Sequence, residues 1–248
     1  MDPSPKQPRI DDAFGRILAR CWAADTAPWS AVEVIERHDG LIVANDASRY
    51  FSEPEQWSSL DRWVWEQAAG RILDVGCGGG RHAVAWVARG HDVVGVDASP
   101  EAVRITRERG AEAVVGSVPS LPAGLGMFDT IALSGDNLGL LGGPEQAPQV
   151  LAALAAVARP GARLIGTGTD PGDGGTDHAE YHAWNLSCGR ARGQLRLRVR
   201  DGAAATPWFD YWLAAPGELT AVVAGSAWTL ESLEHDPAGS GYAVYLRI

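Results

Sequence analysis

Short apolar runs alternate with amphipathic stretches through the middle of this chain, and that alternation is the first guide to its architecture. Ile72, Leu73 and Val75 form a run suited to a strand covered on both faces. Gly76, Gly78, Gly79 and Gly80 follow at once, and residues 81–89 then place Ala83, Val84, Val87 and Ala88 at helical spacing, with Gly90 as a stop signal. A second strand over residues 93–96 ends on Asp97. Ser99 and Pro100 are a cap and first position for another helix, which Gly110 ends. Strands are predicted over residues 113–115, 128–133 and 163–168, with a helix around residues 150–158 stopped by Pro160 and Gly161. Strand and helix in turn predict an α/β fold whose parallel sheet is doubly wound, with helices on both faces.

Either side of this core the pattern changes. Residues 169–215 are too long for a direct connection and read as an insertion over the carboxyl edge of the sheet. Within it Leu195, Leu197 and Val199 alternate strictly with Arg196, Arg198 and Arg200. Residues 208–213 are its expected hairpin partner, and the arginine row is expected to face solvent. A helix over residues 216–224 and two strands over 228–234 and 242–248 close the chain. Residues 1–9, rich in proline, are expected to be a disordered tail. Residues 10–70 are expected to form a helical cover carrying Trp22, Trp29, Tyr50, Phe51, Trp57, Trp63 and Trp65.

The glycine segment carries the chemistry. A dinucleotide turn wants G-x-G-x-x-G, yet counting from Gly76 the third glycine position falls on Arg81. What stands there is D-x-G-x-G-x-G, from Asp74 to Gly80, with a carboxylate at the end of the strand. That carboxylate repels a pyrophosphate and suits an amino group. An amino-acid-bearing nucleoside without phosphate satisfies both facts.

In these residues the chain resembles the class I S-adenosylmethionine-dependent methyltransferases, over residues 71–169 and more weakly to the C-terminus. The resemblance implies a Rossmann-like seven-stranded sheet of order 3-2-1-4-5-7-6 with strand 7 antiparallel, a β-hairpin insertion after strand 5, and residues 71–248 as the cofactor-binding domain. It implies that Asp74 lies near the methionine amino group, that Gly76, Cys77, Gly78 and Gly80 line the cofactor, and that Asp97, followed by Ala98, binds the ribose hydroxyls. Ser117 and Val118 stand where the family often carries an adenine-binding acid, which is missing here. Ser134 follows the fourth strand, and Tyr50 and Trp57 are the expected cover over the cofactor. Asp129 matches an acid that commonly opens the fourth strand, or is a solvated strand end.

The loop at residues 134–144 lies where open α/β sheets bind ligands. Asp136 and Asn137 are expected to face the sulfonium or the acceptor, and Leu138, Leu140 and Leu141 to form an apolar wall; the alternative is a loop whose polar groups only make turns and cap a helix. His178 and His182, four residues apart, share one helix face with Tyr181. One reading makes them a base or a substrate contact, since imidazole takes a proton near neutrality; the other makes them surface residues. Their spacing matches no zinc motif, and no metal is expected.

Composition limits the alternatives. A net charge of −10 disfavours nucleic acid and anionic membranes as partners. Three scattered cysteines suggest neither a disulfide framework nor a metal site, which fits a reducing cytoplasm, and no apolar stretch reaches membrane-spanning length. The expected function is methylation of a small molecule at oxygen, nitrogen or carbon, in specialised metabolism, leaving S-adenosylhomocysteine. The alternatives are a different use of the same cofactor, such as cyclisation, a module that binds it without turnover, and a nicotinamide oxidoreductase, which would bind NADH despite Arg81.

Overall fold

The computed structural model describes residues 7–172, 175–237 and 239–248. In chain order the elements are β1 (Arg9–Ile10), α1 (Ala13–Ala23), β2 (Val32–Arg37), β3 (Ile42–Asp46), α2 (Ser59–Gln67), β4 (Ile72–Val75), α3 (Arg81–Ala88), β5 (Val93–Asp97), α4 (Pro100–Glu108), β6 (Glu112–Val115), β7 (Phe128–Leu133), α5 (Ala147–Ala155), β8 (Ala158–Thr169), α6 (Gly175–Ser187), β9 (Gln194–Asp201), β10 (Ala204–Ala205), β11 (Phe209–Trp212), α7 (Pro216–Ala224), β12 (Thr229–His235) and β13 (Gly241–Arg247).

Seven strands make the main sheet, in the order β12-β13-β8-β7-β4-β5-β6. All pairs are parallel except those of β13, which runs antiparallel to both β8 and β12. This is the order and the single reversal expected from the resemblance. The apolar runs dictate it: β4 and β5 are buried along their whole length, as central parallel strands must be when helices cover both faces. One face is packed by α5, α7 and the buried Trp212 and Trp228. The other is packed by α2 and α3 around Trp86, with Trp63 and Trp65 half-buried beside them. Helix α4 is capped as expected, Ser99 Oγ accepting from Ala102 N and Pro100 taking the first turn.

A second sheet, β1-β10-β9-β2-β3 with β11 also on β9, is built from the N-terminal segment and the insertion together. This corrects the expectation of a helical cover: residues 10–70 contribute the hairpin β2–β3 as well as helices. The hairpin is completed from the far end of the chain, because β2 pairs with β9, Ile35 opposite Val199. β11 lies antiparallel to β9 on its other side, Tyr211 opposite Leu195. Of the expected disordered tail, residues 1–6 lie outside the described residues, while Arg9 belongs to β1 and pairs with Ala204.

Two further expectations give way. Pro160 and Gly161 do not stop a helix. They lie inside β8, where the pairing with β7 slips between Phe128 and Thr130; Gly161 takes φ +78° and donates its N–H to Ile248 O. Of the arginine row only Arg196 is exposed. Arg198 is buried, forks onto both oxygens of Glu36 at 2.8 and 2.9 Å, and lies 4.3 Å from the Trp208 ring centroid; Arg200 reaches the same carboxylate at 3.1 Å. Pairing β2 with β9 sets that acid across from the arginines, and a bidentate ion pair fixes the register.

Candidate functional site

The neighbouring strands β5, β4, β7 and β8 end at or beside Asp97, Asp74, Ser134 and, on β8, Thr167 and Thr169. Asp74, near the end of β4, is 1% exposed and one of its oxygens, Oδ2, has no partner. Burial, reinforced by the Asp97 charge and opposed by Arg81, pushes its carboxyl up to about 7. Asp97 ends β5; its Oδ2 accepts from Gly78 N at 2.8 Å and its Oδ1 from Ser99 N at 2.9 Å. Burial raises this carboxyl too, with the two backbone donors working against it. Ser134, just past β7, is buried with an unpartnered hydroxyl, and buried His82 leaves Nε2 without a partner. Burial drives the His82 imidazole well below its usual range, so it is neutral.

The glycine turn is shaped by close approaches. Gly76, at φ +74°, has Asn137 Nδ2 only 2.6 Å from where a Cβ would stand, and Asn137 donates to the carbonyls of Val75 and Gly76. Gly78, at φ +55°, lies under Tyr50 and Phe14, which a Cβ there would touch at 3.6 and 3.9 Å. Cys77 turns its thiol into the core beside Val103 and Ala113, so only its backbone faces the cleft. Gly80 serves helix packing rather than the cleft: at φ +79° it opens α3, and a Cβ there would meet buried Thr106 Oγ1 at 2.8 Å. Gly80→Ala is expected to cost about 2–4 kcal/mol, from left-handed backbone strain plus overpacking, measured as a fall in the urea midpoint. A midpoint unchanged within error would refute the packing role.

Arg81, at the position where a dinucleotide turn has glycine, lines the cleft and pairs with Asp61 at 3.1 Å. The cleft over the turn has a volume of about 40 Å³ and is closed from above by Arg49 and Tyr50. Tyr50 donates to buried Glu33 at 2.7 Å and packs edge-on against Phe14. Trp57, the other expected cover residue, is buried elsewhere, packed on His82 and donating to Ser52 O. Ala98 and Ser117 are exposed near the tips of β5 and β6, and half-buried Val118 packs on the core.

Asp136 sits in the left-handed region at φ +72°. Its N–H donates to Thr167 Oγ1, its Oδ1 accepts from Thr169 Oγ1 at 3.0 Å, and its carbonyl accepts from the Tyr211 hydroxyl of the second sheet. Burial pushes its carboxyl up to about 6. Leu138 and Leu141 are core residues, so of the expected apolar wall only Leu140 reaches the turn, against Gly76. Asp129 is at the opposite edge of the sheet, tying Arg71 N to Arg159, and is a structural acid.

Beyond Thr169 a chamber of about 570 Å³ opens between the second sheet and α6. His178 and His182 line it, with rings stacked at 6.0 Å. His182 is 4% exposed and its Nδ1 has no partner; burial, then His178, Arg192 and Arg37, lowers its pKa. His178 Nδ1 faces Arg37 Nη1 at 2.9 Å. Tyr181 turns away from the chamber: it is buried, its hydroxyl against His38 and its ring under the Arg37 guanidinium. Glu33, Arg37, Arg49, Thr169 and Tyr211 carry no local signal of a site role. Period two puts Glu33, Ile35 and Arg37 on one face of β2, yet nothing local says that this face turns inward.

Residues 72–161 match the family model described as a methyltransferase domain. No curated protein matches the sequence. Among solved structures, an S-adenosylmethionine-dependent methyltransferase from Bacteroides fragilis, in complex with S-adenosyl-L-homocysteine, is 21% identical with a TM-score of 0.76, covering 95% of this chain and 94% of that one. The CcbJ methyltransferase from Streptomyces caelestis is 16% identical with a TM-score of 0.58, over 77% of this chain and 99% of that one. CalS10 from Micromonospora echinaspora, an amino pentose methyltransferase involved in calicheamicin biosynthesis, is 19% identical with a TM-score of 0.51, over 79% and 94%. At such identities the likeness is one of fold. Taken with the matched methyltransferase domain of residues 72–161 and the strand order, it gives this chain the fold of the S-adenosylmethionine-dependent methyltransferases.

Proposed function

We propose that this chain moves the methyl group of S-adenosylmethionine to a small molecule held in the chamber beyond Thr169. One observation carries the reading: Asp74 Oδ2, Ser134 Oγ and His82 Nε2 are buried beneath the glycine turn with no partners. A buried carboxylate oxygen without a hydrogen-bond partner is costly, and native proteins keep such groups where a ligand completes them. An ammonium group suits Asp74, and the amino acid end of the cofactor brings one. A dinucleotide fits worse, because Arg81 fills the place of the third glycine and Asp74 repels phosphate.

Asp97 is the group for the ribose. Backbone donors from Gly78 and Ser99 fix its orientation and leave lone pairs for two hydroxyls. Ala98, Ser117 and Val118 border the adenine side, where backbone and apolar contact replace the missing acid. With so little room over the turn, Arg49 and Tyr50 must swing outward to admit a nucleoside and then cover it.

When bound, S-adenosylmethionine supplies an electrophilic methyl on a sulfonium. The protein's part is to hold the acceptor in line and keep water out. Asp136 lies between cleft and chamber, and its raised pKa makes it a proton acceptor near neutrality. His178 and His182 hold the acceptor from the chamber wall. Residues 71–248 form the cofactor-binding domain, residues 10–70 cover it, and the insertion of residues 169–215 completes the acceptor site.

Titrating the protein with S-adenosylmethionine or S-adenosylhomocysteine is expected to raise its melting temperature by several degrees, with no response to NADH. No shift with either sulfur compound would overturn the reading.

A further inference from the structure

The chamber also indicates what kind of acceptor it takes. Its volume, about 570 Å³, lies in the range of pockets that enclose drug-sized ligands. Alternation along β2, β3 and β9 turns Ile35, Val43, Leu195 and Leu197 into it, and Leu41 and Leu213 extend the same apolar surface. A sugar or other polyol would bury hydroxyls against this wall without partners.

The charges lining the chamber are already matched or negative. Arg37 is its one cation among the described residues. It forks onto Asp39 at 2.8 and 2.7 Å, lies over the Tyr181 ring at 4.0 Å, and gives a third N–H to His178 Nδ1. Arginine cannot accept a hydrogen bond, so His178 accepts there and is the neutral tautomer with its proton on Nε2. The carboxylate of Asp170 also lines the chamber, engaged by Gly172 N, and would repel an anion. What remains for a ligand among the described residues is mainly apolar surface, with the hydroxyls of Thr169 and exposed Ser240, the Nε2–H of His178, and the imidazole of His182, buried with its Nδ1 unpartnered.

We propose that the chamber binds an uncharged, mainly apolar ring compound bearing a free hydroxyl, which His182 hydrogen-bonds. The proposal rests on the chamber being the acceptor site of the methyl transfer proposed above.

The test uses the whole protein loaded with S-adenosylhomocysteine and follows binding by calorimetry for 1-naphthol, 2-naphthol and 4-phenylphenol, with naphthalene, 1-naphthoate and methyl glucoside as comparisons. At least one hydroxy compound should bind, with naphthoate and glucoside at least tenfold weaker. Leu197→Asp should weaken the hydroxy compound tenfold or more while S-adenosylhomocysteine binds as before. His182→Phe, which keeps a ring in place, should weaken naphthol about fivefold and leave naphthalene unchanged. The proposal falls if the carboxylate or glucoside binds as tightly as the hydroxy compounds, if none of the latter binds, or if both variants leave naphthol affinity unaltered. Naphthol binding without S-adenosylhomocysteine binding would instead overturn the methyl-transfer reading and keep the chamber's ligand class.

Discussion

Asp74→Asn is expected to weaken S-adenosylmethionine binding by at least 100-fold and, at pH 8, to make the ligand-free protein more stable. Both effects have one source. The Asp74 carboxyl is buried, has an unpartnered oxygen and is pushed up to about 7, against 3.8 for the unperturbed group. Between these two values the folded state holds a proton that the unfolded chain has released, so stability falls as pH rises across that window. Above pH 7 the full deficit is present, of order 4 kcal/mol, and a neutral amide removes it. For a chain of this size the variant should melt about 10 °C higher at pH 8 and show little difference at pH 4. The same ionised carboxylate is what an ammonium group needs. Affinity of the parent protein should therefore rise about tenfold per pH unit up to about 7 and then level, whereas the Asn variant shows no such slope. Calorimetric titrations from pH 5 to 9 read both; binding within threefold of the parent would remove Asp74 from the cofactor site.

Asp136→Asn tests the chemical step. Asparagine tolerates the left-handed backbone at this position, so the turn and the N–H bond to Thr167 survive. The expected result is a 100- to 1000-fold loss in kcat at saturating cofactor, with cofactor affinity within threefold of the parent. In the parent, kcat should rise with pH through about 6 and be flat above about 7, because burial holds the carboxyl protonated below that point. A variant that keeps its kcat, or a parent profile without the inflection, would show that Asp136 only builds the turn through Thr169 and Tyr211.

The core of this protein was legible because it is made of local rules. A strand buried on both faces is a continuous apolar run, as in Ile72–Val75 and Val93–Asp97. A sharp turn that presses backbone against neighbouring side chains demands glycine, as at Gly76. A carboxylate at a strand tip says what charge it can meet, as Asp74 does. Each of these needs only a few adjacent residues, so the strands and the cofactor class could be read before any coordinates, while the strand order was what the family resemblance implied. The remainder depended on which distant segments met. Every strand offers the same backbone donors and acceptors at its edges, so nothing in the alternation of residues 32–37 indicates pairing with residues 194–201, some 160 positions away. That pairing gives Arg198 the carboxylate of Glu36, turns Leu195 and Leu197 toward a chamber, and brings Tyr211 onto the backbone of Asp136. It also sets Arg37 of β2 over Tyr181, which packs beneath that guanidinium and not in the chamber. Side-chain type announces what a residue can bind; only the folded surroundings settle what is left within its reach.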